Sequence, residues 1–135
     1  MIYLIDTHLF PMSKEYYTKQ GMEKYPFSSA VKAGDYIFIS GTAANEDSEG
    51  NKLTTIEAQT HEIMKQFKEA LAQFDATMDD IVKVSVYIKD QSEWGKMNAV
   101  YRGYFGEKLP ARVAAVTDLV IPGFIVEMDC IAYKP

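Results

Sequence analysis

The sequence is short of cysteine and has no concentration of positive charge. Its one cysteine is Cys130, so an intrachain disulfide framework is excluded. Cys130 alternates with apolar neighbours in a predicted strand, and we interpret it as a small buried side chain rather than a nucleophile. The net charge is -5 and lysine and arginine are scattered among acids. Because phosphate contacts need clustered positive charge, nucleic acid is not expected as the main partner.

Long apolar runs and metal-ligand patterns are missing as well. No run approaches membrane-spanning length, and Asp6 comes too early for a signal peptide, so we expect a cytoplasmic protein that does not use a membrane. His8 and His61 have no cysteine or histidine at ligand spacing, so no metal site is predicted. Ser40-Gly41-Thr42 lacks the lysine and the spacing of a phosphate loop, and no Gly-x-Ser-x-Gly or Ser/His/Asp signature occurs.

What remains is a chain that suits one globular domain. It has 135 residues, of which 47% are hydrophobic and 24% charged, which allows a real core and argues against disorder. Repeats, low-complexity tracts and linkers are absent. We therefore expect a single domain over residues 1–135.

The first half of the chain predicts three strands and a helix. Ile2 to Ile5 indicates a strand, and the polar stretch that follows indicates a loop with a helical turn near Ser13 to Lys19. Two β-rich runs, 28–33 and 36–42, flank Gly34-Asp35 and predict a hairpin. A capping-box pattern at Thr54 and Glu57 predicts the start of a helix that ends within 75–80. Its apolar face would be formed by Ile56, Ile63, Phe67, Leu71 and Phe74.

The second half predicts three more strands and a second helix. Residues 82–88 alternate as a half-buried strand, and Asp90 with Glu93 marks a helix start. The inward stripe of that helix would be Trp94, Met97, Tyr101 and Tyr104/Phe105. Two apolar strands carrying Arg112 and Glu127 close the chain. The order β-β-β-α-β-α-β-β predicts an α+β fold, a six-stranded mixed sheet with both helices packed on one face. Two helices cannot cover both faces, so we expect self-association to bury the second one.

Arg112 and Glu127 are the main candidates for chemistry. Each lies in an apolar strand, and charged groups are rarely buried there unless they are paired or used. A guanidinium matches a carboxylate through two bonds, so the pair suggests a site for a small anion. Arg112 could equally form a structural ion pair with Glu127 or Asp129. Glu127 could act on protons if desolvated, or could be a solvated carboxylate on an edge strand.

Several runs of the chain resemble the reactive-intermediate deaminase family (RidA/YjgF). They follow the family's order from about residue 26 to residue 133. The runs are Ser29-Ala30-Val31-Lys32-Ala33-Gly34-Asp35, Ile37-Phe38-Ile39-Ser40-Gly41, Val82-Lys83-Val84-Ser85-Val86-Tyr87-Ile88-Lys89-Asp90, Met97-Asn98-Ala99-Val100-Tyr101, Tyr104-Phe105, Pro110-Ala111-Arg112 and Val126-Glu127-Met128-Asp129. Each is short, and together they are specific.

The resemblance implies a chorismate-mutase-like fold and a homotrimer with clefts between subunits. It also implies hydrolysis of 2-aminoacrylate-type enamines and their imine tautomers to 2-keto acids and ammonia, with no metal or organic cofactor. In that scheme Arg112 binds the substrate carboxylate and Glu127 positions or activates the attacking water. Ser40, Gly41 and Asn98 match positions that line the family's cleft.

Three positions depart from the family pattern and affect the expected substrate. Phe27 stands where tyrosine is usual, on a wall supplied by the neighbouring subunit. Val113 follows the arginine where a small or hydroxylated residue is frequent, and Ala114 replaces a frequent cysteine; we count all three as substrate-binding. Alternatives are an aminomuconate-type catabolic deaminase and a non-catalytic trimer that senses small carboxylates or keto acids. A ribonuclease role, reported for some relatives, is disfavoured by the net charge.

Overall fold

A computed structural model gives the structure of the chain and describes residues 13–135. That part contains six strands and two helices. The strands are Lys14–Tyr17 (β1), Ala30–Ala33 (β2), Tyr36–Thr42 (β3), Ile81–Ile88 (β4), Ala111–Val116 (β5) and Val126–Tyr133 (β6). The helices are Ile56–Ala72 (α1) and Trp94–Arg102 (α2).

The strands form one mixed sheet in the order β1-β2-β3-β6-β4-β5. The β4–β5 pair is parallel and is connected through α2, while the other neighbouring pairs are antiparallel. The predicted α+β architecture with six strands and two helices is confirmed. The predicted hairpin is confirmed as β2–β3, with Gly34 at its turn in the left-handed conformation (φ 58°) that glycine adopts without strain.

Two local predictions were wrong. The expected helical turn near Ser13 to Lys19 is instead strand β1, because its backbone pairs with β2 and Tyr17 packs against the core. The first helix is capped by Thr55, whose hydroxyl accepts a hydrogen bond from the Ala58 amide at 3.1 Å, and not by the Thr54 capping box. The predicted strand from Ile2 to Ile5 lies outside the described residues.

Both helices pack on one face of the sheet. Helix α1 contacts β3, β6 and α2. The core beneath the helices is formed by Ile63, Phe67 and Leu71 of α1, Met97 and Tyr101 of α2, and Ile37, Val84, Val86, Met128 and Cys130 of the sheet. Burial of these side chains is the main force that holds the layers together.

The second face of the sheet is uncovered in the single chain. Tyr16, Phe38 and Tyr133 are exposed there, as alternation along the strands requires. The edge strand β5 is exposed on both sides, and Val113 and Val116, which point in opposite directions, are each more than half accessible. These apolar groups are what self-association would remove from water.

Candidate functional site

Arg112 lies on edge strand β5 against helix α2. Its guanidinium carbon is 4.9 Å from the centroid of the Trp94 ring and 4.7 Å from that of Tyr101. Such cation–π contacts hold a planar guanidinium against the aromatic rings. In residues 13–135 the one side-chain ion pair is Lys52 with Glu46, so no described acid pairs with Arg112. A structural ion pair with Glu127 or Asp129 within one chain is therefore not observed.

Trp94, Tyr101 and Arg112, which we name the Arg112 cluster, adjoin polar groups that lack partners. The Tyr101 hydroxyl and the Asn98 side-chain oxygen are buried, and neither has a hydrogen-bond partner among the described residues. Asn98 is one helical turn from both aromatic residues, so it shares their side of α2. Beside the cluster, Trp94, Ala114 and Val116 line a cavity of about 350 Å³.

Glu127 lies in a second, larger depression, which we name the Glu127 cleft. Its volume is about 680 Å³, within the range of small-molecule sites. It is lined by Met22, Tyr25, Phe27, Ser40, Gly41, Ala43, Val120, Ile121, Phe124 and Glu127. The Tyr25 and Phe27 rings stack with centroids 5.8 Å apart and form one wall. Four predicted site residues, Phe27, Ser40, Gly41 and Glu127, thus meet around one cleft.

The surroundings of Glu127 keep its carboxyl group partly out of water. Its strand β6 lies between β3 and β4, so the alternative of an edge strand is wrong. Burial raises the pKa of Glu127, and the negative charge of Asp129 raises it further. The carboxylate also lies close to the backbone: a Cβ added at Gly41 would be 2.8 Å from Glu127 Oε2.

Arg112 and Glu127 lie on opposite faces of the sheet. Arg112 is level with Val84 of β4, whose side chain is fully buried under the helices. Glu127 is level with Tyr87 of β4, which points the other way. Within one chain, the two groups therefore cannot contact the same small molecule.

The remaining predicted residues divide between the two faces. Ala114 shares the helix-covered face with Arg112, since it pairs with Val86. Val113 pairs with Ser85 and points to the uncovered face. Ser40 donates its hydroxyl proton to the Ser28 carbonyl at 2.6 Å, so its oxygen can accept a bond from a ligand in the cleft.

One buried polar side chain supports the loop before Glu127. Gln59 of α1 is fully buried, and its amide nitrogen donates to the carbonyls of Leu53 and Gly123, each at 2.8 Å. Its oxygen accepts from the Ile125 amide at 3.0 Å. Because all these partners are backbone groups, Gln59 fixes the position of the loop that forms the far wall of the cleft.

Three further features concern Cys130, metal ligands and membrane-spanning helices. Cys130 is buried, and burial raises the pKa of its thiol, which suits the interpretation as a core residue. Among residues 13–135 no cluster of three metal-ligating side chains occurs. None of the helices in this part of the chain is long and apolar enough to span a membrane.

Residues 19–134 match the family described as Endoribonuclease L-PSP. A RutC family protein of Pyrococcus abyssi is 39% identical over 110 residues, which cover 81% of this chain and 87% of that protein.

The chain belongs to this family, to which the RidA/YjgF proteins also belong. Among solved structures, the YjgF/YER057c/UK114 family member Rv2704 from Mycobacterium tuberculosis is 28% identical, with a TM-score of 0.78 over 90% of this chain and 99% of its own. YyfA from Yersinia pestis, a protein of unknown function in the conserved Rid family, is 26% identical. It has a TM-score of 0.82, also over 90% of this chain and 99% of its own.

The structure of this YjgF family member adds residues that sequence reasoning missed. Tyr101 is a core residue as predicted, whereas Trp94 is 40% exposed, and the contact of both rings with Arg112 was not predicted. Their spacing around Asn98 on one helix was the available signal. Val120, Ile121 and Phe124 were not assigned to the site. Gln59 is a polar residue on the apolar face of α1, and that position was the signal for its structural role.

Gly41→Ala tests whether the placement of Glu127 matters. A Cβ at this position would come within 2.8 Å of the Glu127 carboxylate, which is the flexible end of a side chain and can move away. We expect the melting temperature to change little and any activity that uses Glu127 to fall about tenfold or more, since small displacements of a catalytic group are costly. Gly106→Ala is the control, because an added Cβ meets nothing within 4 Å there. Equal activity of the two variants would contradict a role for the Glu127 position.

Proposed function

We propose that this protein hydrolyses 2-enamine and 2-imino acids of the 2-aminoacrylate type to 2-keto acids and ammonia. The observation that carries the proposal is the pair of complementary half-sites. One holds a guanidinium on two aromatic rings with no described acid beside it. The other holds a carboxyl group of raised pKa in a largely apolar cleft. A substrate with a carboxylate next to an electrophilic carbon needs these two functions.

The steps follow from the chemistry of the groups. Arg112 binds the substrate carboxylate through two parallel N–H···O bonds and fixes its orientation. An enamine first takes a proton from solvent at C3 and becomes the protonated imine. The Glu127 carboxylate then accepts a proton from water as its oxygen bonds to C2. The protonated Glu127 then returns that proton to the amino nitrogen of the carbinolamine. As the C2–N bond breaks, the hydroxyl oxygen forms the C2=O double bond and gives its proton back to Glu127, which passes it to solvent, so ammonia and the 2-keto acid are released.

The raised pKa of Glu127 suits this double role. A carboxyl group that titrates closer to neutrality is a stronger base when ionised and remains able to donate the proton back. Ordinary glutamate is fully ionised at neutral pH and returns a proton less readily. Partial burial in the cleft therefore supports proton exchange with water and with the departing nitrogen.

A complete site requires two copies of the chain. Because Arg112 and Glu127 lie on opposite faces of one sheet, they can meet on one substrate only if each comes from a different protomer. We propose a cyclic homotrimer in which the Arg112 cluster of one protomer faces the Glu127 cleft of the next. The uncovered sheet face, with Tyr16, Phe38 and Val113 exposed, supplies apolar surface for such contacts.

The activity is tested by generating 2-aminoacrylate with a serine dehydratase and measuring pyruvate release with and without the protein. Acceleration that is lost in Arg112→Ala supports the deaminase. Binding of pyruvate or a related acid without acceleration would instead support a carboxylate sensor. Cleavage of RNA by purified protein, unchanged in Arg112→Ala and Glu127→Ala, would support the ribonuclease activity that the family's description names.

Mixing two inactive variants tests the shared site directly. Arg112→Ala and Glu127→Gln protomers, unfolded and refolded together, should regain activity, since an interface can combine the intact residue of each. For random cyclic trimers about a quarter of the wild-type sites are restored. The control is refolding each variant alone. If the mixture stays as inactive as the two separate variants, both residues of a site do not come from different protomers.

A further inference from the structure

The Glu127 cleft is larger than a three-carbon substrate requires. Its volume of about 680 Å³ is within the range of about 300–1,000 Å³ that suits ligands of drug-like size. Gly41 contributes no side chain to the cleft, and the Glu127 carboxylate occupies the place where one would project. Within one protomer, the space beyond the reacting carbon is therefore open to a substrate side chain.

The lining of this space is apolar. Apart from Glu127 and Ser40, the walls consist of Gly41 and seven mainly apolar side chains, which are Met22, Tyr25, Phe27, Ala43, Val120, Ile121 and Phe124. The stacked Tyr25 and Phe27 rings face solvent in part, with 44% and 48% of their surface accessible. When an apolar group covers such a surface, the free energy falls by about 25 cal/mol for each Å² removed from water.

Charge in the cleft disfavours a second acidic group on the substrate. No lysine or arginine is among the described side chains that line it, and its one charged group is the acid Glu127. Lys19 lines only a narrower adjoining cavity of about 60 Å³. A second carboxylate would lose hydration without gaining a cationic partner and would lie near a like charge.

We infer that the preferred substrates are 2-imino acids with a large apolar side chain, branched or aromatic, rather than the smallest members or dicarboxylic ones. The inference rests on the proposed function. With the carboxylate on Arg112 of the neighbouring protomer and C2 at Glu127, the side chain enters the space between the Tyr25–Phe27 wall and the Val120–Phe124 loop. Each additional buried methylene is worth about 10-fold or more in specificity when the pocket accommodates it.

The test compares imines in one assay. D-amino-acid oxidase converts D-alanine, D-leucine and D-phenylalanine to 2-imino acids, and D-aspartate oxidase supplies the dicarboxylic imine. Semicarbazide captures the imine that escapes hydrolysis, so protein activity lowers semicarbazone formation. We expect kcat/KM for the leucine or the phenylalanine imine to exceed that for the alanine imine about tenfold or more. The aspartate imine should be the poorest substrate.

The outcomes separate this inference from the proposed function. A difference of less than about tenfold, or preference for the alanine or aspartate imine, overturns the inference while hydrolysis itself stands. No acceleration of any imine rejects the proposed function and the inference with it.

A matched pair of variants locates the preference in the cleft. Val120 lines the cleft and is 89% accessible, and Val82 lies outside it and is 43% accessible, so neither truncation should prevent folding. Val120→Ala should lower the ratio of large-imine to alanine-imine kcat/KM about threefold or more through lost apolar contact. Val82→Ala should keep the wild-type ratio. If both variants have the same ratio, the Val120 side chain does not contribute to the preference for large imines.

Discussion

Arg112→Ala is expected to lower kcat/KM for 2-imino acids about 100-fold or more, because two charge-assisted hydrogen bonds of about 1.5–3 kcal/mol each are lost. Arg112→Lys should recover part of this, since lysine keeps the charge but not the planar fork. The measurement is imine hydrolysis at several substrate concentrations. Most of the loss should come from a higher KM, because Arg112 is expected to bind the substrate carboxylate, and kcat should fall less.

The other arginine of the chain provides the control. Arg102 donates to the carbonyls of Phe105 and Gly106 at the end of α2 and belongs to neither half-site. Arg102→Ala should reduce stability slightly and leave kcat/KM near the wild-type value. If Arg112→Ala keeps wild-type activity while its oligomeric state is unchanged, the guanidinium does not bind the substrate.

Glu127→Gln is expected to lower kcat about 100-fold or more, in the range that general acid–base catalysis contributes. Glutamine has nearly the same shape and can still accept a hydrogen bond from water, but it cannot take its proton. KM should change little, because in the proposed mechanism the substrate carboxylate is bound by Arg112. Retention of wild-type kcat would exclude Glu127 as the group that activates water.

The same variant should be more stable than the wild type at neutral pH. Burial raises the folded-state pKa of Glu127 above that of an unfolded chain. The protonated carboxyl group therefore makes its full contribution to the free energy of unfolding below the unfolded-state pKa. That contribution is lost as pH rises through the folded-state pKa. Since glutamine carries no such charge, the melting temperature of Glu127→Gln should exceed the wild-type value at neutral pH. The gap should close in acid.

Activity should also depend on pH through Glu127. In the proposed mechanism the ionised carboxylate accepts the water proton, so kcat/KM should fall as pH decreases through the raised pKa. The midpoint should lie above the value of ordinary glutamate, near 4.3. The residual activity of Glu127→Gln should lack this limb. A wild-type midpoint at or below the ordinary value would contradict a desolvated catalytic carboxyl.

Elements with strong local signals were predictable. The alternation of Val84, Val86 and Ile88 with polar residues identified β4, and the apolar spacing of Ile63, Phe67 and Leu71 identified α1. Strand β1 was not predictable from the sequence, because Lys14 to Tyr17 has no apolar alternation. This segment is a strand because β2 offers it backbone hydrogen-bond partners. Local pattern fails where pairing with a distant segment decides conformation.

The sequence by itself determined the fold class and the identity of the chemical groups, because side-chain periodicity and residue type are local properties. It placed an arginine and a glutamate in strands but did not show on which face of the sheet each one lies. Only the tertiary structure decided that, since β4 lies between β5 and β6 and its register sets Arg112 on one face and Glu127 on the other. The aromatic support of Arg112 and the walls around Glu127 likewise arise from segments far apart in the chain.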